Sequence, residues 1–195
     1  TPIVAGGAAL VKAQFPSYTN QQVAAVLKAT ADNLNTLNPT YVDKLGSGRL
    51  NLFNALSDTN AQFIKMTSKN IADQNNNIFE YGDTLQITGT FTNYLKPISG
   101  LTVTLSSASA YINIINATTI LPVLNTLDTA SNYANKFLIK VLNGAPLNTP
   151  VLIKATISNG TYSRKQYFTI TLNPDYINVA VNQISTTITS KGKIG

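Results

Sequence analysis

Cysteine and histidine are both absent from this 195-residue chain. Without cysteine it is not a disulfide scaffold. Exported bacterial proteins often lack cysteine too, so its absence does not argue against secretion. Without histidine, the Ser, Thr and Tyr hydroxyls have no imidazole to take their protons. Charge is scarce as well: Asp, Glu, Lys and Arg make up 11% of residues, against roughly 25% in ordinary soluble domains. The apolar share of 44% is ordinary, so Ser, Thr and Asn carry the surface. No stretch approaches the roughly 18 consecutive apolar residues of a membrane-spanning helix, and no signal peptide is visible. A cysteine-free, Thr- and Asn-rich chain of this kind reads as β-rich and extracellular.

The net charge of +6 is spread along the chain. Residues 1–57 hold Lys12, Lys28, Lys44 and Arg49 against Asp32 and Asp43. Residues 58–175 hold eight basic and six acidic side chains, and Lys191 and Lys193 come after them. Nucleic-acid binding requires clustered basic charge. Arg164-Lys165 is the only adjacent basic pair, so a nucleic-acid partner is not expected.

What is present changes character near residue 58. Residues 2–14 are small and apolar all round, which describes a buried helix. Gly6 and Gly7 each weaken that helix by about 1 kcal/mol relative to Ala, and their use is close approach to a neighbour. Pro16 stops it. Thr19 with Gln22 three residues on makes a capping box. A second helix, with Val23, Ala24, Val26 and Leu27 on one face, should end around Ala31-Asp32. "NTLNPTYVDK" is loop, and a short third helix is expected over 51–56. After residue 58 the apolar period becomes two. Strands are expected over 61–67, 84–93, 101–107, 136–142, 151–158 and 165–172, with a hairpin turn at Asn159-Gly160. The expectation is an antiparallel sandwich. "INVAVNQISTTITSKGKIG" reads as the opening strands of another β unit.

Three motifs in the first 57 residues carry a resemblance to subtilisin-like serine peptidases. Thr1-Pro2-Ile3-Val4-Ala5-Gly6 is similar to the residues directly after Gly-Thr-Ser-Met-Ala in that family. "FPSYTNQQV" resembles its Pro-x-x-Thr-x-x-x-Val. "LGSGRLNLFNAL" resembles its Gly-x-Gly-x-(Leu/Ile/Val)-(Asn/Asp)-x-x-x-Ala-Leu. The resemblance implies that the nucleophilic Ser lies three residues before Thr1, with the Asp, the His and the oxyanion-hole Asn further upstream. It also implies that residues 2–14 form the helix behind the nucleophile, buried in an α/β domain. Residues 60–175, through "ADQNNNIFEYGDTLQITGTFTN", resemble immunoglobulin-like accessory domains of secreted bacterial hydrolases.

Few side chains in the β region suggest chemistry. Glu80 and Asp83 fit a solvated turn before a strand better than a catalytic carboxylate pair. Tyr94, Tyr111, Tyr133, Tyr162 and Tyr167 suit strand cores and rims better than a sugar-binding face. Asp73, Asn75, Asn77 and Glu80 place hard oxygen ligands at alternate positions, the arrangement calcium favours, although the glycine and spacing of an EF-hand are missing.

The expected fold class is α+β: a helical remnant of an α/β subtilisin-like catalytic domain over 1–57, an immunoglobulin-like β-sandwich over 58–175, and the start of a further β domain over 176–195. The expected function is the C-terminal portion of a secreted or cell-surface bacterial serine endopeptidase, acting on protein or peptide substrates through an upstream triad. No cofactor is required, and calcium is the candidate metal. The missing upstream part of the catalytic domain is itself an expected partner. Without it, residues 1–57 should expose an apolar patch. The competing reading is a non-catalytic binding or adhesion module of a surface protein.

Overall fold

The computed structural model describes residues 2–175. The expected β unit over 176–195, and Thr1 of the first motif, lie outside the described residues. Helices come first: α1 (Pro2–Gln14), α2 (Asn20–Ala29), a 3₁₀ turn (Pro39–Tyr41) and α3 (Leu52–Ser57). Among the described residues nine strands come after them: β1 (Ile64–Ala72), β2 (Thr84–Asn93), β3 (Thr102–Ser106), β4 (Ile112–Asn116), β5 (Thr118–Ile120), β6 (Thr129–Ser131), β7 (Phe137–Val141), β8 (Thr149–Ser158) and β9 (Ser163–Leu172). The result is α+β with a β-rich larger part.

All strand pairs are antiparallel. One sheet runs β1-β2-β7-β4, with β6 also pairing β2, and the other runs β5-β3-β8-β9. Period-two alternation decides what each strand buries. Leu85, Ile87 and Phe91 of β2 point inward, as do Val151, Ile153, Ala155 and Ile157 of β8. These side chains meet Val103, Phe137, Ile139 and Ile170 in one cluster contributed by both sheets. β1 carries a bulge between Met66 and Ser68. The extra residue, Thr67, turns its hydroxyl to the Thr90 carbonyl at 3.2 Å.

Two buried asparagines bond to backbone groups of separate segments. Asn93 is fully buried and its amide donates toward the carbonyls of Lys96 at 2.9 Å and Leu124 at 3.0 Å. Asn132 accepts from the Gly89 N–H at 2.6 Å and donates to the Ile87 carbonyl at 3.1 Å. Each therefore ties separate backbone segments together from within the buried interior, and the Leu124 carbonyl accepts from the Ile98 N–H as well, at 3.0 Å.

The helices build a second, smaller cluster. Val11, Val23, Ala25, Val26, Leu27 and Ala55 pack with Phe63 and Leu95. The capping box forms as expected: Gln22 N–H donates to Thr19 Oγ1 at 3.2 Å and Thr19 N–H to Gln22 Oε1 at 2.9 Å. Gly7 is the close approach, since a Cβ there would lie 2.6 Å from the Leu52 side chain. Gly6 faces open space. The all-round burial expected of residues 2–14 is not found. Only Gly7 and Val11 are buried on α1, while Ile3 is 74% and Leu10 50% exposed, and Phe53 of α3 is 79% exposed. A three-helix cluster this small has room to cover one narrow stripe of α1, and the rest of its apolar surface faces outward.

Other differences are local. α2 stops at Ala29: Thr30 still makes the helical bond to the Val26 carbonyl and adds its hydroxyl to the same oxygen at 2.8 Å, but its backbone leaves the helical region at φ −98°, ψ 3°. Asn159-Gly160 does begin a hairpin turn, but Ser158 pairs with Ser163, so four residues make the loop. The short strands β4, β5 and β6 are additions to the expected set. Their sequences do not sustain a clear alternation over enough residues to show one.

Candidate functional site

The motif residues of the helical segment converge on structural contacts. Pro2 opens α1, where its missing N–H costs nothing. The free N–H groups of that first turn carry partial positive charge. Asp32 and Arg49 exchange both backbone hydrogen bonds, at 2.8 and 3.0 Å, and their side chains pair at 2.8 Å. Gly48 sits at φ 111°, where a Cβ would meet the Asp32 carbonyl oxygen at 1.9 Å. Only glycine fits there. Asn51 caps α3 by accepting from the Asn54 N–H at 2.9 Å, and its amide donates to Asp32 Oδ1 at 2.8 Å. The Asn51 hydrogen bond, followed by that from Arg49, holds the Asp32 carboxyl below its ordinary value. These polar groups serve to lock the α2 exit against the α3 entry.

The four calcium candidates lie on the β1–β2 connection. Asp73 is 9% exposed. Its Oδ1 accepts from the Asn75 N–H at 3.1 Å and the Asn77 N–H at 2.8 Å, while its Oδ2 is buried with no hydrogen-bond partner among the described residues. Asn77 takes a left-handed backbone, φ 57°. Asn75 reaches toward Asp83 Oδ1 at 3.5 Å. The Glu80 backbone N–H donates to Asp83 Oδ2 at 2.7 Å, so Asp83 serves the turn as expected. Asp73, Asn75, Asn77 and Glu80 thus share one loop. Among the described residues, no three Asp, Glu, His or Cys side chains group closely enough to hold a metal by themselves, so asparagine or backbone oxygens would have to complete any shell.

A third feature has no signature in the sequence. A groove of about 1020 Å³ opens between the α2 exit, the 43–48 loop and the start of β9. Lys28, Asp43, Asp58, Tyr162, Arg164 and Lys165 all line it. Lys165 pairs with Asp43 at 2.6 Å across the groove. The Arg164 guanidinium stacks on Phe63, 3.8 Å from the ring centre.

Residues 1–54 match the sequence model of the subtilase family. That segment is subtilase-related. No curated protein matches the chain. Solved structures similar to it include trypsin-activated α2-macroglobulin from Escherichia coli, at 20% identity and TM-score 0.37 over 54% of this chain and 7% of that one. Native α2-macroglobulin from the same organism, from domain MG7 to its C-terminus, aligns at 18% identity and TM-score 0.39, over 55% and 17% of the two chains. The GAE domain of GGA2p from Saccharomyces cerevisiae aligns at 16% identity and TM-score 0.28, over 57% and 97%. The chain therefore spans less than a fifth of the two macroglobulin structures it matches.

The matched span ends within α3, so the subtilase-related segment is the helical one. It contributes no histidine, and its two carboxylates, Asp32 and Asp43, are both held in ion pairs. No helix among the described residues is long and apolar enough to cross a membrane.

Proposed function

We propose that this chain is the C-terminal portion of a secreted bacterial serine endopeptidase of the subtilisin-like family, followed by an immunoglobulin-like β-sandwich accessory domain. The match of residues 1–54 to the subtilase family carries the reading, and the three motifs along that span agree with it. The parent enzyme cleaves peptide bonds by acyl transfer. Its Ser attacks the carbonyl, a His takes the Ser proton, and an Asp orients that His. All three would precede Thr1. The present chain supplies the helix behind the nucleophile, whose N-terminal N–H groups favour negative charge developing at the reacting carbonyl. The exposed Ile3, Leu10 and Phe53 fit apolar surface that the rest of a catalytic domain would cover.

The test has two parts. The coding sequence upstream of Thr1 should encode Gly-Thr-Ser-Met-Ala directly before it and the Asp and His motifs earlier. The extended protein should hydrolyse casein and lose that activity to a serine-directed sulfonyl fluoride, whereas the 195-residue chain should be inactive. An upstream sequence without these motifs would sink the reading and favour a binding or adhesion module.

Calcium at Asp73, Asn75, Asn77 and Glu80 belongs to the same proposal. It is favoured by the buried Asp73 Oδ2, because a buried oxygen with no partner calls for an ion or a water. Melting should shift upward with added calcium and return with chelator. An unchanged melting temperature removes the metal from the reading.

A further inference from the structure

We propose that the groove between the helical segment and the β8–β9 hairpin is a binding site for a carboxylate-bearing peptide, with Arg164 as its anchor. Buried charges are nearly always paired. Arg164 is half-buried and unpaired: its side chain makes no ion pair or hydrogen bond with any described residue, and its Nε is buried and unsatisfied. The stack on Phe63 holds the guanidinium plane in place without using its N–H donors. Burial pushes its pKa below the ordinary arginine value, which is the cost of a cation lacking a counter-charge.

The neighbours complete an anion site. The Tyr162 hydroxyl accepts from the Ile64 N–H at 3.0 Å, which leaves its own proton free to donate. Lys28 lines the same groove from the α2 side and is exposed. The groove's own acids do not serve Arg164. Asp43 is taken by Lys165, and Asp58 accepts from the Asn60 N–H at 2.8 Å. A guanidinium fork matches a carboxylate in two parallel hydrogen bonds. A volume of about 1020 Å³ holds far more than a lone ion, so a few residues of extended peptide fit alongside the anchored group. The groove takes one wall from residues 28–48 and the other from the β8–β9 hairpin, with Arg164 on the hairpin side.

The carboxylate has two sources, a chain terminus or an acidic side chain, and three probes separate them. They are acetyl-trialanine as the free acid, the same peptide as its amide, and the amide with a central glutamate. Titration into the 195-residue chain is followed by calorimetry and by backbone amide shifts. One or both carboxylate peptides should bind about tenfold or more tighter than the neutral amide, with shifts at 162–167. Preference for the free acid assigns a chain terminus, and preference for the glutamate peptide a side chain. Arg164→Met, which keeps the apolar stack, should abolish that preference at an unchanged fold. Arg164→Lys should weaken it about tenfold because the fork is lost. If Arg164→Met does not fold, Arg164→Lys decides. Equal binding of all three peptides, binding of none, inorganic phosphate binding in their place, or full affinity in Arg164→Lys would each overturn the proposal.

Discussion

The cluster built by the helices contains eight buried apolar residues, two of which, Phe63 and Leu95, come from outside the helices. The cluster between the sheets contains twenty-two. The two-sheet unit thus closes on itself, and the helices lean on it for part of their core. The manner of burial differs too. In β2 every second residue turns inward, so the strand buries a full face. In α1 only Gly7 and Val11 are buried, and the apolar residues on either side of that stripe are exposed. Fewer buried contacts and more exposed apolar surface imply a lower local opening free energy for the helices.

The sharpest way to break this comparison is to weaken each core in turn. Phe91→Ala in the sheet core should cost about 3–5 kcal/mol, because the ring is fully buried and its cavity cannot collapse easily. Val11→Ala in the helical core removes roughly two methylene equivalents, about 1.5–2 kcal/mol. Urea unfolding combined with amide exchange checks both. Phe91→Ala should speed exchange throughout, and Val11→Ala only in the helices. Uniform acceleration in both variants would mean that the two cores unfold as one.

Asn93→Ala should come next, at about 1–3 kcal/mol, since it leaves the buried Leu95 N–H without its acceptor and the Lys96 carbonyl without its donor. Its exchange signature belongs to the β2 end and the 121–128 loop. A loss confined to the helices would contradict the placement of Asn93 in the sheet unit.

Thr19→Ala targets the helical side alone. It removes the side-chain oxygen that accepts from the Gln22 N–H and should cost about 1 kcal/mol. Faster exchange should begin at the first turn of α2 and leave β7 and β8 untouched.

Legibility in the sequence depends on range. The Thr19–Gln22 box and the bounds of β2 arise from neighbours three and two residues apart, and both stand where the sequence places them. The sheet-spanning asparagines are not legible, because Asn93 meets Leu124 across 31 positions and Asn132 meets Ile87 across 45. The 112–120 stretch hides β4 and β5 because Asn and Thr interrupt its apolar rhythm. On the candidate sites, the loop grouping of Asp73, Asn75, Asn77 and Glu80 is visible as spacing. Arg164 is not, since it reads as one of two adjacent surface cations until Phe63, about a hundred residues earlier, is folded beneath it.

The smallest expected effect tests the seam between the two regions. Lys165 on β9 and Asp43 in the helical segment pair at 2.6 Å, with 38% and 23% of their side chains exposed. The Lys165 hydrogen bond lowers the Asp43 carboxyl, and the same bond raises the Lys165 ammonium. A lowered carboxylate stabilises the fold above its unfolded pKa and loses that contribution as pH falls through the folded value. A raised ammonium stabilises below its unfolded pKa and loses that contribution as pH rises through the folded value. The pair should therefore hold across neutral pH and fail on the acid side, as pH falls through the lowered Asp43 value. Solvent and salt screen so exposed a pair, so the melting temperature should change by about 2 °C or less. Lys165→Ala should flatten that part of the acid profile, and about 1 M salt should mimic it. An acid-side loss of the same size in Lys165→Ala would show that this contact does not join the helices to the sheets.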